Sequence, residues 1–128
     1  MLLTAIRQIA TTVQDVERAV VFYRDRLGLP LLFQAPPKLA FFDCGGVRLM
    51  LAEAAPGEEV HGRASVLYFK VDDIHAAHGE LAARGVDFKG VPHMIAKMAD
   101  HDLWLAEFRD TEGNALALMS EVPHSATV

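Results

Sequence analysis

Between Asp15 and Gly28 the apolar residues Val16, Ala19, Val20, Tyr23 and Leu27 recur at helical spacing, so the pattern predicts an amphipathic helix. Asp15 fits its N-cap and Gly28 the left-handed residue that ends it. Short runs rich in branched and aromatic residues follow at Leu31 to Gln34, Leu39 to Asp43 and Val47 to Glu53, with Gly45-Gly46 as a tight turn. The Pro, Gly and charged residues from Ala54 to Arg63 read as a loop between halves. The order then repeats. A strand is expected from Ser65 to Val71 and a helix capped by Asp73 and closed by Gly85. Further strands are expected at Leu103 to Arg109 and Ala115 to Val122, with Asp110 to Asn114 as their turn.

Subtraction exposes the repeat. Val13 and Asp15 correspond to Val71 and Asp73 at an offset of 58, the closing glycines Gly28 and Gly85 differ by 57, and Leu49 and Leu51 map to Leu116 and Leu118 at 67. The second half therefore carries about ten extra residues, between Val86 and Leu103. Each half reads as a βαβββ unit whose apolar sheet face needs a cover. The expected fold is α+β: two such modules forming a curved, cleft-lining mixed sheet with helices on the outer face. The expected division is a single domain over 1–128, with modules at about 1–54 and 64–122 and a tail at 123–128. A ferredoxin-like arrangement lacks the hairpin strands after each helix.

Composition narrows the partners. A chain of 128 residues with 52% hydrophobic and 23% charged residues has globular composition, and a net charge of −5 without a Lys/Arg run speaks against a nucleic-acid surface. Cys44 is the single cysteine, so no internal disulfide forms and a reducing compartment fits. Arg7 and Gln8 interrupt the N-terminal apolar stretch, and no run approaches the roughly 20 apolar residues of a membrane span. A soluble cytoplasmic protein without a membrane partner is expected.

The segment VQDVERAVVFYRDRLGL resembles the first-helix signature of the glyoxalase/bleomycin-resistance/dioxygenase (vicinal oxygen chelate) superfamily, and FRDTEGNALAL resembles its second-module turn and final strand. The resemblance spans nearly the whole chain and implies that fold and a homodimer; activity differs widely on such a fold. In the superfamily's metalloenzymes the first and last strands of each module supply the ligands, which here correspond to Gln8, Met50, Val66 and Ala117. Val66 and Ala117 carry no donor, Met50 is a soft thioether, and one amide cannot hold a hard divalent cation. No metal is therefore expected at the inherited positions. A divalent metal is expected only at a relocated site.

Two groups of residues are candidates for chemistry. His93, His101 and Glu107 would form a relocated catalytic or ligand set if the chain turns back near Ala99-Asp100, bringing His93 opposite Glu107. Otherwise the histidines are ordinary surface or hydrogen-bonded groups. Strand parity puts Val66, Tyr68 and Lys70 on the cleft face, with Leu67, Phe69 and Val71 under the helices. Met50 there shares its face with Arg48 and Ala52, Ala117 with Ala115 and Met119, and Gln8 with Ile6 and Ala10. The ligand-contacting set is thus Gln8, Arg48, Met50, Val66, Tyr68, Lys70 and Ala117, with Trp104 added if it covers the cleft rather than filling the core. Arg48 and Lys70 point to a small anionic or amphipathic ligand unless they snorkel into water. His75 and His78 read as solvated on the second helix, Asp72-Asp73 and Asp110-Glu112 as caps and turns, and His61 and His124 as loop and tail residues. A binding protein with a degenerate metal site is favoured. The alternative is a glyoxalase-like lyase/isomerase or a dioxygenase at the relocated site, and a purely structural partner domain is the least favoured.

Overall fold

The computed structural model describes residues 2, 4–35, 38–57 and 65–124. The loop around His61 and the last four residues lie outside that set.

The first module contains β1 (Gln8–Val13), α1 (Val16–Val21), β2 (Leu31–Ala35), β3 (Leu39–Cys44) and β4 (Val47–Glu53). Its sheet order is β1-β4-β3-β2, with β1 parallel to β4 and the other pairs antiparallel. The Asp15 side chain accepts from the Arg18 N–H at 3.1 Å, as an N-cap should. α1 then widens into a π-helical turn over Phe22–Arg26, marked by Leu27 N–H donating to the Phe22 carbonyl at 3.0 Å. That extra residue per turn puts both Phe22 and Tyr23 on the buried side, where strict α periodicity admitted only Tyr23. Their rings meet edge-on, and Tyr23 also packs against Phe42 of β3. Leu49 and Leu51 of β4 complete this core. Gly28 follows with a φ of 77°, a left-handed conformation that costs a residue with a Cβ more than glycine.

The second module contains β5 (Leu67–Lys70), α2 (Ile74–Ala83), β6 (His93–Lys97), β7 (His101–Arg109) and β8 (Ala115–Pro123), in the order β5-β8-β7-β6. The two offsets read from the sequence reappear as register. Ala10 pairs with Met50 in the first module, and Tyr68 pairs with Ala117 in the second. α1 packs on β3 and β4 and α2 on β7 and β8, while Tyr68 of β5 is half exposed.

The ten extra residues do two things. They lengthen the hairpin, so that β7 runs nine residues against six in β3 and begins at His101 rather than Leu103. They also send the chain along β7 before β6 starts, with Phe88 bridging Phe108 and the Lys89 N–H donating to the Glu107 carbonyl at 2.8 Å. His78 of α2, read from the sequence as solvated, anchors this detour. Its Nε2 lies 3.0 Å from the Gly90 carbonyl and its ring 4.3 Å from that of Phe88. His75 remains exposed but sets its ring edge-on to Trp104 at 5.2 Å.

The turn at residues 111–114 packs with the first module although it joins β7 to β8. Glu112, fully buried at its side chain, accepts from the N–H groups of Gln14 and Asp15 at 2.9 and 2.8 Å and receives a bidentate Arg18. The turn-forming role assigned to it from sequence is thus too small. It caps α1 from 97 residues away.

Asp73 caps α2 through the Ala76 N–H at 3.1 Å. Asp73→Ala is expected to cost about 1 kcal/mol, measurable as a shift of the urea midpoint with an unchanged m-value.

Candidate functional site

Within the second module, one face of β5-β8-β7 and the detour at residues 87–89 enclose a pocket of about 410 Å³. Its size falls in the range of small-molecule sites. Val66, Tyr68, Leu105, Ala115 and Ala117 lie on the lining, with Phe88, Phe108 and Leu116 at the back. The hollow arises because β8 presents alanines at 115 and 117 where larger side chains would fill the space. The charged lining groups are Asp87, Lys89, Glu107 and Arg109.

The expected ligand-contacting residues separate into three groups. Val66, Tyr68 and Ala117 line this pocket. Lys70 shares their strand face by alternation but is not on the pocket lining. Gln8, Arg48 and Met50 belong to the first module, where they engage one another. Arg48 Nε donates to Gln8 Oε1 at 2.7 Å, Gln8 Nε2 sits 3.9 Å from Met50 Sδ, and the Arg48 guanidinium lies 5.6 Å from the centre of the Phe41 ring. Trp104 is on the opposite face of β7 from Glu107, against His75 of α2, and so is not part of the pocket. The charged lining residues that sequence reasoning did not single out are Asp87, Lys89 and Arg109. Only the detour along β7, which no local pattern announces, brings the first two to the pocket.

The relocated set assembles in part. His93 pairs in register with Leu105, on the same face as Glu107, and its Nε2 lies 3.6 Å from Glu107 Oε1. His101 is six residues up β7. There its Nδ1 is 2.7 Å from Asp100 and its Nε2 3.2 Å from Glu121, while His124 pairs with Asp102 at 2.9 Å. Hydrogen bonds from these imidazoles hold the Asp100 and Asp102 carboxyls below the usual range. The strand, rising about 3.3 Å per residue, separates His101 from Glu107 by roughly 20 Å. The three residues therefore do not form one site.

The four inherited positions do not fit a hard divalent cation. The only oxygen donor among them, Gln8 Oε1, already accepts from the Arg48 guanidinium, whose positive charge opposes a second cation there. Val66 and Ala117 offer hydrocarbon. Cys44 is a poor nucleophile, because partial burial, reinforced by Asp43, pushes its thiol above the ordinary value.

Two βαβββ modules, each with a parallel first-to-last strand pair, define a protein of the paired βαβββ-module class. Residues 5–118 match the model of the Glyoxalase/Bleomycin resistance protein/Dioxygenase superfamily, and the chain belongs to that family. A curated relative, the uncharacterized protein YraH of Bacillus subtilis, is 29% identical over 87% of this chain and 94% of its own length. Among solved structures, the lactoylglutathione lyase of Agrobacterium tumefaciens aligns with a TM-score of 0.74 at 23% identity, covering 94% of this chain and 96% of that one. A family member from Sphaerobacter thermophilus aligns with a TM-score of 0.73 at 22% identity, covering 94% and 100%. At these identities the solved structures speak for the fold. Among the described residues no helix is long and apolar enough to cross a membrane.

Proposed function

We propose that this protein binds a small anionic or amphipathic molecule with an apolar body in the pocket of the second module, without a divalent metal at Gln8, Met50, Val66 or Ala117. The observation that carries the reading is the hollow of about 410 Å³ floored by Ala115 and Ala117 and walled by Val66, Tyr68 and Leu105. Apolar lining supplies affinity, and the few polar groups at its margin supply orientation. The Tyr68 hydroxyl has no hydrogen-bond partner among the described residues and is available to a ligand. A cytoplasmic homodimer goes with this reading, supported by the family resemblance and by the exposed apolar side chains of Val91, Met94 and Ile95 along the edge of the second sheet.

The test is a fluorescence titration with 8-anilinonaphthalene-1-sulfonate, an aromatic body carrying one sulfonate. The intact protein is expected to bind it saturably, and Ala117→Leu, which fills the floor, to weaken binding at least ten-fold while leaving the circular dichroism unchanged. Equal titrations of the two proteins sink the reading.

A second reading, turnover in the same pocket, is favoured by the His93–Glu107 pair, since Glu107 is on the lining and its imidazole neighbour is in reach. In that reading Glu107 exchanges a proton with the bound molecule and His93 positions the carboxylate. Glu107→Gln would then remove turnover and keep binding.

A further inference from the structure

Resting on the binding role of this pocket, we infer that its ligand is a zwitterion: an apolar body bearing both a carboxylate and an ammonium group. Asp87 and Glu107 are acidic and Lys89 and Arg109 are basic, so the formal charges cancel over the four. The cationic pair expected from sequence does not set the field here, because Arg48 is engaged with Gln8 in the first module and Lys70 is off the lining.

Asp87, Lys89 and Glu107 also do not neutralise one another. Lys89 and Glu107 are joined across the ladder by a main-chain hydrogen bond of 2.8 Å, which puts their side chains on one face of the sheet. Among the described residues the Lys89 ammonium and the Asp87 carboxylate nevertheless make no ion pair or hydrogen bond. The Glu107 carboxylate, among the described residues, meets only the imidazole of His93, at 3.6 Å. Opposite charges held apart beside an apolar floor leave a dipolar field over the pocket. A singly charged ligand gains from one sign and is repelled by the other, whereas a zwitterion oriented along the field satisfies both.

The experiment is isothermal titration at pH 8 and low salt with two matched series. One is phenylalanine, 3-phenylpropanoate and 2-phenylethylamine; the other is leucine, 4-methylpentanoate and isopentylamine. In at least one series the zwitterion is expected to bind ten-fold or more tightly than either singly charged analogue. Lys89→Gln should erase its advantage over the amine, and Glu107→Gln its advantage over the carboxylate. Both side chains are surface groups of the pocket rim, and unchanged thermal melting would show that the variants fold. If in both series a singly charged analogue binds as well as the zwitterion, or no member binds, the inference is overturned. The anilinonaphthalene sulfonate titration separates that failure from the larger one: saturable binding blocked by Ala117→Leu leaves the pocket standing as a site for simple anions, and its absence removes both.

Discussion

Replacing Glu112 with alanine is expected to lower the unfolding free energy by about 3 to 5 kcal/mol. The carboxylate is buried, yet it stays ionised because four groups point at it. Burial alone would push its carboxyl up, but the Arg18 guanidinium, the Thr111 hydroxyl and the N–H groups of Asp15 and Gln14 outweigh that and bring it down from 4.5 to about 2. Alanine removes the carboxylate that accepts from the Gln14 and Asp15 N–H groups just before α1 and from the Arg18 guanidinium. Glutamine keeps an acceptor oxygen and loses the charge, so Glu112→Gln should fall between alanine and the parent.

The sign of the pH dependence follows from the lowered folded-state value. The stabilisation is fully present above the unfolded carboxyl value near 4.5 and disappears as pH falls from there to about 2. At about 1.4 kcal/mol per unit, roughly 3 kcal/mol is at stake in that window. Urea unfolding at pH 7 and pH 3 of the parent and Glu112→Gln measures it. The parent should lose more stability than the variant on acidification. Equal losses would mean that Glu112 is not held as an anion.

The second large effect is expected at Phe42. This ring is completely buried, and the ring of Tyr23, also completely buried, is 5.9 Å away. Phe42→Ala should cost about 3 to 5 kcal/mol through lost burial and the cavity left behind, seen as a fall in Tm of roughly 10 to 20 °C. Phe42→Leu retains most of the volume and should cost less than half as much. If alanine and leucine proved equally harmful, ring geometry rather than filled space would be what the site requires. Because the Tyr23 ring packs against Phe42, the alanine variant should also lose near-ultraviolet aromatic dichroism.

Sequence determined the features that rest on local repetition. The stripe of Val16, Ala19, Val20 and Tyr23 marks α1, and Asp15 and Asp73 cap the two helices as their positions suggested. Alternation along β5 put Tyr68, half exposed, on the other face from the less exposed Leu67 and Phe69, because a strand's side chains take opposite faces in turn whatever the strand pairs with. The two offsets of the repeat located Met50 and Ala117 as matching positions, and each proves to be the register partner of a matching first-strand residue.

Tertiary structure alone decided which distant groups meet. Glu112 reads as a turn residue because Gln14, Asp15 and Arg18, the partners that tie it to the first module, are 94 to 98 positions away, and no periodicity spans that interval. His93 and His101 are equally plausible companions for Glu107 until hairpin register is known. Register gives His93 the place beside Leu105 and leaves His101 at the far end of the strand. Arg48 looks like a free cation for a ligand until Gln8 is found at its Nε. The charges on the pocket lining come from a detour along β7 that depends on the Phe88–Phe108 bridge and the His78 contact to Gly90. Periodicity reports what a residue's own element does with its side chain. Which charge faces which is set by register and by contacts between segments far apart in the chain, and those exist only once it is folded.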